Sequence, residues 1–433
     1  MTAQIVDVAE AVDNQKLRPF HFGIIAVLAL VAVTDGFDLQ AAALAAPGIA
    51  HDWGMSRAAL TPILSAGFIG ILLGAPGMGW LGDRFGRKPA ILVGCVIFGL
   101  GSAASAFAPD VATLTAMRVI TGIGLGGVLP NVFALTAELS PLRVRGPFVG
   151  ILGLGLILGS ASVAILAGAI GGHAWRHLFI VGGVAGAVAA LLTALLPESP
   201  VLLATRGKTE KLAKVMRIIA PDAPPGATFA AATSSQTKPN LFAGGLLIIT
   251  PLVWVMFVCA SLTMYFVTSW APVVLSAEGI DPARAAFIVS LFHIGGIGGA
   301  IVASIALRQA RFLVAIGMWT LALVAVLSVA FVELSEDQLA VAVAICGFAI
   351  LGGQTALNAC GSLVYPAALR GSGMGWAYGV SRFGSIGGAL LGGLLAASGL
   401  LSAQRLFLAP SVPIAIALAS ALYVIMWERR QQA

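Results

Sequence analysis

The chain has 433 residues, of which 59% are hydrophobic and only 10% charged, with a formal net charge of +6. Soluble domains carry about 25% charged residues. This composition, with a mean hydropathy of +0.99, excludes a disordered chain and argues against a soluble enzyme. Twelve crossings of about 20 residues fit easily in its length, so a polytopic helical membrane protein is the expectation.

In chain order, residues 1–20 are polar and partly acidic. They lack a basic stretch before a short apolar core and a cleavage site, and read as a cytoplasmic tail. Six apolar runs follow, near 21–47, 60–79, 90–108, 112–136, 146–171 and 175–196, within a bundle spanning 21–199. A polar stretch from Pro200 to Asn240 carries Arg206, Lys208, Lys211, Lys214 and Arg217. Residues 208–220 suit either a short amphipathic helix at the membrane surface or a flexible linker, and 200–242 is expected to be a cytoplasmic central loop. Six more runs, near 243–274, 284–306, 312–331, 338–362, 373–398 and 405–427, form a second bundle over 243–427 before a short tail at 428–433. Runs of this length are too long for barrel strands. The expected fold is therefore all-α: twelve transmembrane helices in two pseudo-symmetric six-helix bundles, related as a parallel repeat.

Charge placement orients the chain. With both termini inside, 18 of the 24 Lys and Arg fall in inside segments, while Arg57, Arg176, Arg284 and Arg405 fall outside. That asymmetry obeys the positive-inside rule and predicts a multi-pass membrane protein with both termini cytoplasmic. The basic excess is spread over short loops, so nucleic acid is not an expected partner. Cys95, Cys259, Cys346 and Cys360 lie in apolar runs without CxxC spacing, which gives no disulfide or metal framework. The 53 glycines cluster in runs such as Gly122-Ile-Gly124-Leu-Gly126-Gly127 and Gly295-Gly296-Ile-Gly298-Gly299, which let helix backbones approach closely in lipid. No strand precedes these runs, so they are not nucleotide-binding loops.

The ionisable exceptions inside apolar runs carry the functional signal, because a charge near the bilayer midplane is costly. Asp35 and Asp38 sit near the middle of span one, three residues apart and therefore on one helical face. Two carboxylates at low dielectric repel, which favours holding a proton on one of them. Arg118 in span four stays charged and demands a partner; it can pair with span one or attract an anion. Arg382, early in span eleven, suits a bidentate contact to a substrate carboxylate, or snorkels to the interface. His293 in span eight can carry a proton, bind a carboxylate or hydroxyl, or simply pack. The other histidines, His21, His51, His173 and His177, fall at helix ends or in loops. Asn131, Tyr265, Trp270, Gln354, Asn358 and Tyr378 fill out a candidate pocket in which rings stack and amides bind hydroxyls; for each, packing or interfacial anchoring is the competing reading.

The loop Gly79-Trp-Leu81-Gly-Asp83-Arg84-Phe-Gly86-Arg87-Lys88-Pro resembles the signature between spans two and three of the major facilitator superfamily. Physically, Gly86 permits a tight turn, Asp83 can cap a helix or pair with a base, and Arg84, Arg87 and Lys88 can form gating contacts. Arg118 with its glycine run resembles a second superfamily signature, and Pro197-Glu198-Ser199-Pro200 the pattern after span six in sugar and organic-anion branches. Asp35-Gly36-Phe37-Asp38, Tyr365-Pro366, Arg370-Gly371-Ser-Gly373-Met-Gly375-Trp376 and Arg382-Phe-Gly384 resemble aromatic acid:proton symporters. The resemblance implies proton coupling through Asp35 and Asp38 with Arg118 as their polar partner, and substrate handling by Arg382 and His293. Two departures are visible: Arg308-Gln-Ala-Arg311 lacks the acidic residue of the corresponding loop in relatives, and Gly387-Gly388 stands where many have Gly-Pro.

The expected function is proton-coupled uptake of small aromatic carboxylates, such as hydroxybenzoates or protocatechuate, by alternating access. The proton is the coupling ion, and the protein is expected to work as a monomer in the bilayer without cofactor or metal. Transport of aliphatic or sugar-acid anions, drug efflux, and a non-transporting membrane sensor are the alternatives. No HExxH motif or nucleophile elbow is present, which argues against an enzyme.

Overall fold

The computed structural model describes residues 5–170, 174–221, 228–230, 240–243, 245–307, 311–400 and 402–432. His173, Lys238, Arg308 and the rest of 308–310 lie outside the described residues. A strand β1 (Ile5–Asp7) runs into α1 (Val8–Asp13), whose first turn is capped by the Asp7 carboxylate accepting from the Glu10 N–H. Then come α2 (Pro19–Asp52), a 3-10 turn (Arg57–Leu60), α3 (Thr61–Phe85), α4 (Arg87–Ser105), α5 (Val111–Leu139), α6 (Leu142–Ile170) and α7 (Trp175–Leu195). Between the bundles lie α8 (Pro200–Thr205), α9 (Thr209–Ile219) and β2 (Thr228–Ala230). The chain ends with α10 (Leu246–Ala277), α11 (Pro282–Ala306), α12 (Arg311–Phe331), α13 (Glu336–Val364), α14 (Ala367–Ala397), α15 (Ala403–Leu408) and α16 (Ser411–Gln432). Among the described residues, twelve helices are long and apolar enough to cross a membrane, as the periodic apolar runs require.

Local chemistry sets the helix ends. Asp110 accepts from the Thr113 N–H at 2.7 Å to start α5; that N–H also holds its exposed carboxyl below the usual carboxylate range. Asp281 accepts from the N–H groups of Ala283 and Arg284 at α11, and Ser335 with Gln338 forms a capping box at α13. Gly86 joins α3 to α4 with φ at +134°, a region closed to other residues at low cost. The last apolar run, expected as one helix, is broken into α15 and α16 around Ala409 and Pro410; Ala409 keeps helical dihedrals, but Pro410 has no N–H to continue the helical ladder.

The chain packs as two compact units: Met1–Asp38, Ile69–Gly159 and Phe179–Thr237 form the first, and Leu39–Phe68, Ser160–Leu178 and Lys238–Ala433 the second. In the first, α2 lies backbone to backbone on α6. A Cβ on Gly36 would sit 2.0 Å from the Leu156 carbonyl, and one on Gly159 2.0 Å from that of Val33. In the second, α11 and α13 are equally close: a Cβ on Gly347 would sit 1.8 Å from the Phe292 carbonyl oxygen. These small-residue seams are how helices associate where lipid removes the hydrophobic drive between them.

The polar ends are more structured than their composition suggests. β1 pairs in parallel with β2, Ile5 opposite Thr228. α1 packs on α8, and α9 on α8 and β2, burying Val8, Val12, Leu203, Leu212, Met216 and Ile219. Asp13 is paired with Arg145, and Arg143 donates to the Gln15 carbonyl at 3.4 Å. Residues 208–220 thus form the amphipathic helix α9, with its apolar face turned to protein.

Candidate functional site

The first unit builds a charged centre from four helices. On α5, Arg118 reaches α2: its Nη2 donates to Asp38 Oδ2 at 2.7 Å and to the Asp38 carbonyl at 3.2 Å, and its Nη1 donates to Asp38 Oδ1 at 3.3 Å. The side chains are 3% and 0% exposed. The Arg118 guanidinium also lies 5.3 Å from the centre of the Phe179 ring on α7. Gly182, one turn further along α7, makes room: a Cβ there would lie 2.6 Å from Ser102 Oγ on α4 and 3.3 Å from Asp38 Oδ1. Ser102 in turn donates to the Phe179 carbonyl at 3.2 Å. Asp35, also buried, lies within electrostatic reach of Cys95 on α4. A bidentate arginine–carboxylate pair in so dry a setting is strongly coupled, because removing either charge strands the other.

Asn131 belongs to this unit too, but its amide is engaged between helices. Nδ2 donates to the Gly127 carbonyl at 2.7 Å and weakly to that of Met78 at 3.4 Å, and a Cβ on Gly82 would sit 2.0 Å from its Oδ1. It joins α5 to α3.

At the α3–α4 turn, Asp83 pairs with Arg87 at 2.6 Å, one helical turn on. Arg87 Nε also lies 3.5 Å from Glu138 on α5. Lys88 Nζ donates to the Ala194 carbonyl at 2.7 Å, and its backbone N–H to Glu198 at 3.3 Å. Arg206 Nη2 donates to the Asp83 carbonyl at 2.7 Å. Asp83 therefore serves as an ion-pair partner and not as a helix cap, since Gly86 occupies the cap position. Arg84 stands over the Trp80 ring at 5.1 Å. Glu138 was not singled out by sequence; its signal was an acid near the end of α5, beyond the uncharged stretch that follows Arg118.

The second unit holds the remaining candidates. Arg382 on α14 is half-buried, with no carboxylate within ion-pair distance among the described residues, and Tyr378 one turn before it is its electrostatic neighbour. Tyr378 meets the buried Phe257 ring edge-on at 5.3 Å. Phe257 was not singled out by sequence, because one phenylalanine in an apolar run carries no pattern. His293 is buried on α11; its Nδ1 lies 3.2 Å from the Val289 carbonyl, and its Nε2 has no hydrogen-bond partner. On α13, Gln354 donates to Asn358 at 3.0 Å. Trp270 is fully buried, donating to the Ala389 carbonyl at 2.9 Å, with its ring filling the space beside Gly392. Tyr265 packs against Phe68. The structure thus gathers Asp35, Asp38 and Arg118 into one cluster and Tyr378 with Arg382 into another, while Trp270 and Tyr265 are engaged in helix contacts.

Twelve helices long and apolar enough to cross a membrane among the described residues, with a buried ion pair between them, fit a membrane transporter for a small solute. Residues 28–389 match the Major Facilitator Superfamily, and the chain belongs to it. It is 36% identical to the gallate transporter of Pseudomonas putida over 409 residues, covering 91% of this chain and 90% of the relative. It is 33% identical to the 4-hydroxybenzoate transporter PcaK of Pseudomonas aeruginosa over 431 residues, covering 96% and 95%. Among solved structures, the xylose transporter XylE of E. coli in a partially occluded inward-open conformation superposes with a TM-score of 0.72 at 17% identity, covering 94% of this chain and 99% of XylE. That last likeness shows the fold alone.

Proposed function

We propose that the protein takes up small aromatic carboxylates together with protons across a bacterial inner membrane, with both termini cytoplasmic. The observation that carries this reading is the buried Arg118–Asp38 pair, one turn from Asp35. A proton arriving on Asp38 neutralises the carboxylate and leaves Arg118 charged and buried, which costs several kcal/mol (about 3–5). The protein escapes that cost by changing conformation, by shifting the proton to Asp35, or by giving Arg118 an anion. Each route ties protonation to movement or to substrate, and that is what coupling requires. Arg382, with Tyr378 as its electrostatic neighbour, suits a ring acid: the guanidinium takes the carboxylate and the tyrosine ring packs on the substrate face. His293 Nε2 and the Gln354–Asn358 pair offer hydrogen bonds to ring hydroxyls. Relatives named for gallate and 4-hydroxybenzoate point the same way.

Uptake of a panel of labelled acids into proteoliposomes under an imposed proton gradient tests the reading. Benzoate-type acids accumulate and a protonophore abolishes the accumulation. Transport of gluconate- or shikimate-type acids with benzoates ignored would reject the substrate class. Asp35→Asn and Asp38→Asn each lose gradient-driven accumulation while keeping substrate binding, and Arg382→Ala loses binding. Full accumulation by both aspartate variants would reject their coupling role.

A further inference from the structure

The second unit includes two stretches from the first half of the sequence, Leu39–Phe68 and Ser160–Leu178. The first of these is held to the later helices by polar and aromatic contacts. On α2, Gln40 Nε2 donates to Thr268 Oγ1 on α10 at 3.2 Å, across 228 residues of sequence. Both side chains are sealed, Gln40 at 2% and Thr268 at 1% exposure. One turn before Thr268, Tyr265 meets Phe68 of α3 edge-on, ring centres 4.6 Å apart. Nearby, Gly393 on α14 has no room for a side chain, since a Cβ would lie 2.2 Å from Thr61 Oγ1. On its other face α10 is fixed to α14 through Trp270, Ala389 and Gly392.

A glutamine in the stretch Leu39-Gln40-Ala-Ala-Ala-Leu44-Ala-Ala needs an explanation, because a buried amide without a partner is expensive. Thr268 satisfies it in this structure. If the two helices part, water replaces Thr268 at little cost. A pair satisfied both closed and open can separate and re-form, which a purely apolar seam of the same area does less readily. Position adds to this: the division between the two units falls between Asp38 and Leu39, so α2 carries a proton-site residue and Gln40 two residues apart.

We propose that Gln40 and Thr268 form the latch that closes the outer end of the transport path, with the Phe68–Tyr265 ring pair as its apolar backing. Tyr265 then serves the gate and not the substrate ring. The inference rests on the alternating-access reading and on the orientation given above.

Two arms test it, one independent of substrate identity. In the first, Ser269→Cys is the reporter, buried one residue from Thr268; the four native cysteines are all buried. A membrane-impermeant maleimide labels it slowly with Gln40 present. Gln40→Ala raises the labelling rate about fivefold, the worth of one buried hydrogen bond. In the second arm, a Gln40→Cys/Thr268→Cys pair is joined with a short reducible bis-thiosulfonate, and 4-hydroxybenzoate uptake is measured in proteoliposomes. Joining abolishes uptake, reduction restores it, and neither single variant treated alike is blocked. Unchanged labelling in Gln40→Ala, or undiminished uptake by the joined pair, overturns the latch. If no ring acid is carried before treatment, the substrate reading fails while the labelling arm still decides the gate.

Discussion

At the scale of single residues, the membrane interior makes each polar atom accountable. Arg118 and Asp38 neutralise one another, although Arg118 Nε is left without a hydrogen-bond partner, so neither can be removed alone without stranding a charge. Arg118→Ala is expected to cost about 3–5 kcal/mol, read as a lowered thermal unfolding midpoint in detergent. The paired replacement Arg118→Met with Asp38→Leu recovers most of that loss but restores no gradient-driven uptake. If the paired variant accumulated substrate, the ion pair would be structural only. Trp270 presents the opposite case. Its N–H bond to Ala389 predicts that Trp270→Phe costs about 1 kcal/mol of stability and leaves the ranking of transported acids unchanged. A changed ranking would place the indole against substrate.

At the scale of elements, seams and caps decide what the glycines do. Gly347 faces the Phe292 backbone with no space for a methyl, whereas Gly317 has open space around it. Gly347→Ala is expected to destabilise by about 1–3 kcal/mol and Gly317→Ala to be neutral or stabilising by up to about 1, both read by thermal unfolding. The 53 glycines looked alike in sequence; only the neighbouring helix separates a seam glycine from an idle one. The small assembly of β1, α1, α8, α9 and β2 was equally hidden. Strands of three residues leave no periodicity to read, and their partners lie more than 200 residues apart. Val12 is buried in α1, so Val12→Asp is expected to free the N-terminal segment and to speed tryptic cleavage at Lys16 and Arg18, followed by mass spectrometry.

At the scale of the whole molecule, orientation follows from charge count rather than from the fold, which has no membrane of its own. Reporters fused at either terminus are expected on the cytoplasmic side, and one inserted at Gly279 on the opposite side. Termini found outside, with the Gly279 reporter inside, would reverse the direction of the proposed cycle. The division of the chain into units is also a whole-molecule property. Sequence divides it at the polar stretch near 200–242, where composition changes. Contacts also join Leu39–Phe68 to the unit containing the later helices, and no local pattern announces this, because Gln40 and Thr268 lie 228 residues apart in sequence.

The sequence by itself determined the number of spans, the superfamily and the short list of intramembrane charges. These follow from hydropathy, loop motifs and the cost of a charge in lipid, all properties of short stretches. Only the tertiary structure decided which of Asp35 and Asp38 meets Arg118, that Asn131 and Trp270 hold helices together, and that Tyr265 faces Phe68. Those outcomes depend on where one helix lies against another, and helix rotation in a glycine-rich bundle is set by close packing between distant segments rather than by residue type.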